Sequence, residues 1–191
     1  MHILVRVMVS GACGKMGRSV LNAVQQDSQL ELVGAVDLNA GSDIGDLIGI
    51  PKTGIIVQAD LVEAIVSAKP DVLVDFTKPS VVFSNACIAL KHKVSPVIGT
   101  TGLSDEHKAE IKNLAEQNNT AAFIAPNFAI GAILMMKMAK EAAKYMPHVE
   151  IIELHHDNKL DAPSGTALGT ADMIREVRKS MQQGNPDEFE K

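Results

Sequence analysis

The 191-residue sequence predicts an α/β fold built on a doubly wound parallel sheet, with the start of a second domain behind it. Three observations point there. Apolar runs rich in Val and Ile alternate with stretches of helical period, the pattern of strands buried on both faces by helices. The first of these runs passes straight into a glycine-spaced turn and a helix. Past residue 128 the alternation gives way to long helical stretches around one apolar segment, which divides the chain into domains at 1–128 and 129–191.

In chain order, Val- and Ile-rich runs give strands at residues 3–9, 31–37, 55–57, 72–76, 95–98 and 121–124. Helices fall between them at 15–26, 61–67, 81–91 and 105–117. Pro79 and Ser80 suit a helix start, and Ser104 followed by Asp105 and Glu106 supplies a cap and negative charge at the next. The stretch 39–53 has turn residues and no sustained period, so it reads as a surface loop. In the second domain a helix at 130–145 is apolar on most sides, a strand follows at 149–155, and a helix at 166–181 closes the series. Its stripe is Leu168, Ala171, Ile174, Val177 and Met181, with Asp172, Arg175, Glu176 and Lys179 facing out.

Composition narrows the function. Hydrophobic residues make up 46% and charged residues 21%, enough to bury a core. The net charge of −5, no Lys/Arg block and 3% aromatics without Trp argue against a nucleic-acid partner. The apolar run 130–138 is too short for a bilayer, so no membrane partner is expected. Cys13 and Cys87 lie far apart without metal-like spacing, which fits a reducing, cytoplasmic setting and no metal.

The turn after the first strand reads Gly11-Ala12-Cys13-Gly14-Lys15-Met16-Gly17, spaced GxxGxxG. Gly11 permits a tight turn, Gly14 a close approach to a pyrophosphate, and Gly17 close packing of helix on strand. Free N–H groups at the helix start would hold phosphates. Asp37 closes the second strand 20 residues after Gly17, where an acid accepts from an adenosine ribose. Leu38 follows it, so NADH should bind at least as well as NADPH, although Lys15 or Arg18 could reach an extra phosphate. The sheet is therefore expected to be Rossmann-like. Three more strand ends carry unusual residues: Asp75-Phe76-Thr77-Lys78-Pro79, Gly99-Thr100-Thr101-Gly102 and Ala125-Pro126-Asn127-Phe128. Ligands of such sheets sit beyond these ends, where the hydroxyls and the Asn127 amide could meet a nicotinamide.

The densest chemistry lies in Glu153-Leu154-His155-His156-Asp157-Asn158-Lys159-Leu160-Asp161-Ala162-Pro163-Ser164-Gly165-Thr166-Ala167. His donates protons near neutral pH, Lys supplies a proton or a fixed charge, and N–H groups at a Gly165-Thr166 helix start can hold a carboxylate. A zinc ligand, an oriented core histidine or an inert loop residue are the other readings of His155 and His156. Adjacent histidines on a strand face opposite ways, and no third ligand completes a zinc set.

The ordered series GACGKMG, DFTKPS, GTTG, APNFAIG and ELHHDNKLDAPSGTA resembles the dihydrodipicolinate reductase family over nearly the whole chain. The resemblance implies a Rossmann-like sheet followed by the first part of an α+β substrate/oligomerisation domain. It implies NADH and/or NADPH as cofactor and a small cyclic dicarboxylate as substrate, reduced in diaminopimelate and lysine biosynthesis. It assigns His155 as general acid and Lys159 as proton donor, with His156, Gly165 and Thr166 on substrate carboxylates. Cofactor contacts fall on Gly11, Ala12, Cys13, Gly14, Lys15, Met16, Asp37, Gly99, Thr100, Thr101, Ala125, Pro126, Asn127 and Phe128. Family members continue further, through the rest of a sheet that assembles homotetramers. The chain is thus expected to be C-terminally truncated, which weakens the expectation of tetramers and of full turnover. Two rival functions stay open: a different Rossmann-fold dehydrogenase that does not use the His-His-Lys segment, and an impaired fragment or sensor that binds the dinucleotide without chemistry.

Overall fold

The computed structural model describes residues 4–125, 127–146, 148–155 and 162–178. The chain divides into two compact units, Met1–Ala125 and Pro126–Lys191.

In the first unit, β1 (Val5–Ser10) leads into α1 (Lys15–Gln26), β2 (Leu30–Val36), α2 (Ile44–Ile48) and α3 (Leu61–Ala68). Then come β3 (Val72–Asp75), α4 (Pro79–Lys91), β4 (Ser95–Ile98), α5 (Asp105–Gln117) and β5 (Phe123–Ile124). All pairings are parallel, in the order β2-β1-β3-β4-β5. The chain runs outward from β1 to one side and then from β3 to the other, so the direction reverses between these two strands. Alternation along β1 builds both faces of the core. Val7 and Val9 pack with Leu21 and Val24 of α1, while Met8 packs with Leu61 and Ile65 of α3 and Leu73 of β3. A third cluster joins Val82, Ala86 and Leu90 of α4 to Ile98, Ile111 and Ala115. Burial of the Val, Leu, Ile and Met side chains among these contributes roughly 1.5–3 kcal/mol apiece.

Residues 55–57 do not form a sheet strand. Gln58 makes a single parallel bridge to Val36 and Ile56 an antiparallel bridge to Asp43. The reason is divided backbone pairing: the Gln58 N–H donates to Ala35, but the Val57 N–H donates to Ser42 and its carbonyl accepts from Gly41. The 39–53 excursion is also more ordered than a loop. Asp43 caps α2 through Gly45 N–H and accepts from Thr53 N–H, the Thr53 hydroxyl and Gly54 N–H, at 2.7–3.1 Å. One buried carboxylate thus ties both ends of the excursion together.

In the second unit α6 (Ile130–Ala142) and α7 (Gly165–Val177) pack together, with Met136 buried over Gly169 and Lys140 paired with Glu176 at 2.7 Å. The expected strand at 149–155 is not formed. An extended segment becomes a strand only by pairing, and no ladder partner lies among the described residues. Ile152 and Leu154 are accordingly exposed. The α7 stripe also shifts: Thr170 and Ile174 are buried, and Leu168 is half exposed because the Met136 contact turns the Gly169–Thr170 side inward. Lys179 and Met181 lie outside the described residues.

The N–H of Thr53 first, with the other donors, holds the Asp43 carboxyl at about 2, below its usual 3.8. This depressed folded value makes its contribution complete above 3.8 and lost as pH falls toward 2. Amide exchange at Thr53 and Gly54 should therefore accelerate across that window ahead of the sheet core. Asp43→Asn should flatten the dependence.

Candidate functional site

The turn from β1 into α1 is the tightest place in the first unit. Gly11 has φ +79°, a left-handed conformation that favours glycine, and a Cβ there would collide with the Phe76 carbonyl beyond β3. A Cβ on Gly17 would fall on the Gly11 carbonyl oxygen and within 2.8 Å of Ala12 Cα. Gly14 caps α1 without a side chain, and the first turn carries no acid. By contrast, side chains of Asp60, Ser104 and Ser164 cap α3, α5 and α7. α1 thus presents backbone N–H groups and the positive end of its dipole, with Gly14 and Lys15 exposed.

Asp37 is coupled directly to this turn. Its carboxylate accepts from Cys13 N–H and Asn39 N–H, both at 3.0 Å, and retains lone pairs for a further donor. Arg18 donates from its guanidinium to the carbonyls of Cys13 at 3.0 Å and Leu47 at 3.4 Å. Burial, with the Asp37 charge adding to it, pushes the Cys13 thiol up. A turn with no room for a side chain, a helix end without acid, and an oriented carboxylate beside it fit the pyrophosphate and ribose of a dinucleotide.

Two other strand ends join the first. The Phe76 ring lies where a Cβ on Gly99 would be, so the ends of β1, β3 and β4 meet around Phe76. Asp75, 1% exposed, holds them together. Its Oδ1 accepts from Thr77 N–H, the Thr77 hydroxyl and the Thr100 hydroxyl at 2.7–3.0 Å, and its Oδ2 from Asn85 at 2.8 Å. The Thr100 hydroxyl, expected to face a ligand, is therefore turned inward, because a buried carboxylate requires donors. Thr101 is exposed beside it. Sequence reasoning gave Asp75, Asn85 and Phe76 no role. The available signal was an acid closing an apolar strand, as at Asp37.

The second unit assembles a different constellation. Asn127 donates from its amide to the Thr166 hydroxyl oxygen at 2.9 Å and accepts from Ala129 N–H at 2.7 Å. A residue expected on cofactor and one expected on substrate are thus hydrogen-bonded to each other, in a bond that does not use the Thr166 hydroxyl proton. Gly165 and Thr166 open α7 behind the Ser164 cap. Ser164 in turn binds Glu153, whose Oε1 lies 3.8 Å from His155 Nδ1. Glu153 and Ser164 also lacked a role in the sequence reading, although Glu153 shares a face with His155 at period two. Pro126, His156 and Lys159 lie outside the described residues. Ala125 ends the first unit, and Phe128 is partly exposed in the second.

A doubly wound parallel sheet with a glycine cradle and a strand-end acid at its reversal point defines the class: a Rossmann-like α/β protein of the dinucleotide-binding kind. Residues 5–128 match the family described as dihydrodipicolinate reductase, N-terminus, and residues 131–190 the one described as dihydrodipicolinate reductase, C-terminus. The chain belongs to the dihydrodipicolinate reductase family. The 4-hydroxy-tetrahydrodipicolinate reductase of Desulfitobacterium hafniense is 54% identical over 189 residues, covering 98% of this chain and 71% of that protein. The enzyme of the same name from Syntrophomonas wolfei is 54% identical over 187 residues, covering 97% and 70%. The structure of dipicolinate-bound dihydrodipicolinate reductase from Paenisporosarcina sp. TG-14 superposes with a TM-score of 0.79 at 48% identity, covering 98% of this chain and 72% of that one.

Two expected outcomes test the cradle. Gly17→Ala should destabilise the first unit by about 1–3 kcal/mol through overpacking, and NADH titrated by fluorescence should bind at least about tenfold more weakly. Asp75→Ala strands donors from Thr77, Thr100 and Asn85, costing about 2–4 kcal/mol in chemical denaturation.

Proposed function

We propose that the chain catalyses NADH- or NADPH-dependent reduction of 4-hydroxy-tetrahydrodipicolinate to tetrahydrodipicolinate with loss of water, in diaminopimelate and lysine biosynthesis. The observation that carries this reading is the second unit's pairing of a carboxylate-holding helix end, Gly165–Thr166, with His155 through Glu153 and Ser164. A cyclic diacid needs both an anion hold and a proton source. The similarity to enzymes of that name supports the choice of substrate. Residues 1–128 bind the dinucleotide in this reading and residues 129–191 bind substrate. The unpaired Cys13 and Cys87 suit a reducing cytoplasm.

When bound, the reduced nicotinamide supplies a hydride. The chain's own part is the pose and the proton. N–H groups of Gly165 and Thr166, with the Thr166 hydroxyl and His156, hold the substrate carboxylates and so fix the ring's orientation. Loss of the 4-hydroxyl as water leaves an imine conjugated with a ring double bond, and adding one hydride and one proton completes the reduction. His155 as general acid, with Lys159 as proton donor, neutralises the negative charge that develops on the ring. Asp37 receives the adenosine ribose. The backbone of Gly11 through Met16 would receive the pyrophosphate, and the family resemblance gives Gly99 through Thr101 and Ala125 through Phe128 as the further cofactor contacts.

The test follows NADH and NADPH oxidation in the presence of the product of the preceding synthase. His155→Gln and Lys159→Ala should each lower kcat by about 10²–10⁴-fold with NADH affinity unchanged. Cofactor oxidation that does not depend on this substrate would reject the reading.

A further inference from the structure

We propose that Glu153 is a positioning residue that locks the carboxylate-holding end of α7 to the His155 segment and sets the spacing between anion hold and proton donor. The proposal rests on the reading of Gly165 and Thr166 as that hold. Ser164 N–H donates to both Glu153 oxygens at 3.0 Å, and the Ser164 hydroxyl donates to Oε2 at 2.6 Å, a short charge-assisted bond. The same hydroxyl oxygen accepts from Ala167 N–H at 3.1 Å. Ser164 is buried, so the relay from Ala167 N–H through the hydroxyl to the carboxylate is shielded from water.

The arrangement explains why the cap is serine backed by a distant acid. An Asp at the cap would satisfy the same N–H but put its charge on the turn that must receive a dianion. Here the cap itself is neutral, the first turn of α7 holds no acid, and the charge lies one hydrogen bond behind. The relay takes Ala167 N–H and leaves those of Gly165 and Thr166, which have no acceptor within the helix, for a ligand. On its other side, Oε1 faces Nδ1 of His155 at 3.8 Å. That contact is too long for a hydrogen bond, and it sets the Nδ1 edge of the His155 ring toward the carboxylate. One carboxylate therefore restrains both functions.

The test uses the whole chain, with pyridine-2,6-dicarboxylate as the probe diacid. In Glu153→Gln the probe should bind about tenfold more weakly, the loss expected for one charge-assisted bond. NADH affinity should stay within about twofold, and KM should rise more than kcat falls. Ser164→Ala should weaken the probe in the same direction, Ser164→Thr should bind it like the parent, and Glu153→Gln with Ser164→Ala together should bind it no more weakly than Glu153→Gln alone. Parental probe affinity in Glu153→Gln, or additive losses in the double variant, overturns the proposal while leaving the reductase reading intact. If the parent chain neither binds the probe nor turns over, the reductase reading fails, and amide exchange still decides. Acceleration of about tenfold at Ala167 and Leu168 in Glu153→Gln supports the lock, and unchanged exchange there overturns it. Should Glu153→Gln not fold, weaker probe binding by Ser164→Ala than by Ser164→Thr supports the lock, and equal binding by the two overturns it.

Discussion

Three backbone segments meet above the reversal point of the sheet with no space between them for a side chain. The Gly11 carbonyl occupies the position a Cβ on Gly17 would take, and the Phe76 carbonyl does the same at Gly11. Because Gly17 is already in the helix, this closeness pins α1 to β1 and points its uncapped end into the crevice. Because Phe76 follows β3, it also holds the first and third strand ends at one height. The Phe76 ring against Gly99 extends the same constraint to β4. A single wider residue at either position would separate elements that otherwise act as one surface.

Carboxylates do the rest of the alignment, in one recurring way. Asp37, Asp43 and Asp75 each accept from neutral N–H or hydroxyl donors of two or more chain segments, and Glu153 accepts from both the N–H and the hydroxyl of Ser164. Several such bonds offset the desolvation of a partly buried charge. In a protein of net charge −5 that must bind anions, this leaves cations such as Lys15 available, while the acids serve as braces. Where ion pairs do form, as between Lys108 and Asp105 or Arg175 and Asp172, both partners are exposed and solvent screens the attraction.

Much of this was legible in the residues because it rests on short-range rules. The β1–α1 turn shows in its glycine spacing, α1 and α5 in helical period, and the α5 start in Ser104 with two acids behind it. What escaped depends on distant partners. The 55–57 run reads as a strand, yet its backbone hydrogen bonds go to residues 41–44 and only the next residue, Gln58, reaches the end of β2, a division that no local pattern reveals. The 39–53 excursion looks irregular until Asp43 is seen to bind Thr53 and Gly54 ten and eleven residues away. Residues 149–155 have the period of a strand but form no sheet ladder among the described residues. For the site, the glycine cradle and Asp37 follow from spacing, whereas Asp75 and Glu153 act on groups that only the folded backbone brings near them.

The inward-turned polar side chains bear on how a ligand is read. Thr100 gives its hydroxyl to Asp75, and Asn127 gives its amide to Thr166. In the crevice of the first unit the donors left for an anion are largely main-chain N–H groups, which recognise a phosphate by position and not by what is attached beyond it. A cradle of that kind holds the pyrophosphate common to NADH and NADPH equally well. In the function proposed above, discrimination between the two would fall on the few side chains near the ribose: Asp37, tied to Cys13 and Asn39, and the cations Lys15 and Arg18. Arg18 is itself held by the Cys13 and Leu47 carbonyls, so its charge is fixed at the same turn whose Cys13 N–H Asp37 binds. If Asp37 receives the ribose, as proposed above, a positive group near it would offset the repulsion of a 2′-phosphate, and the balance between them, more than the glycine turn, would set the cofactor preference.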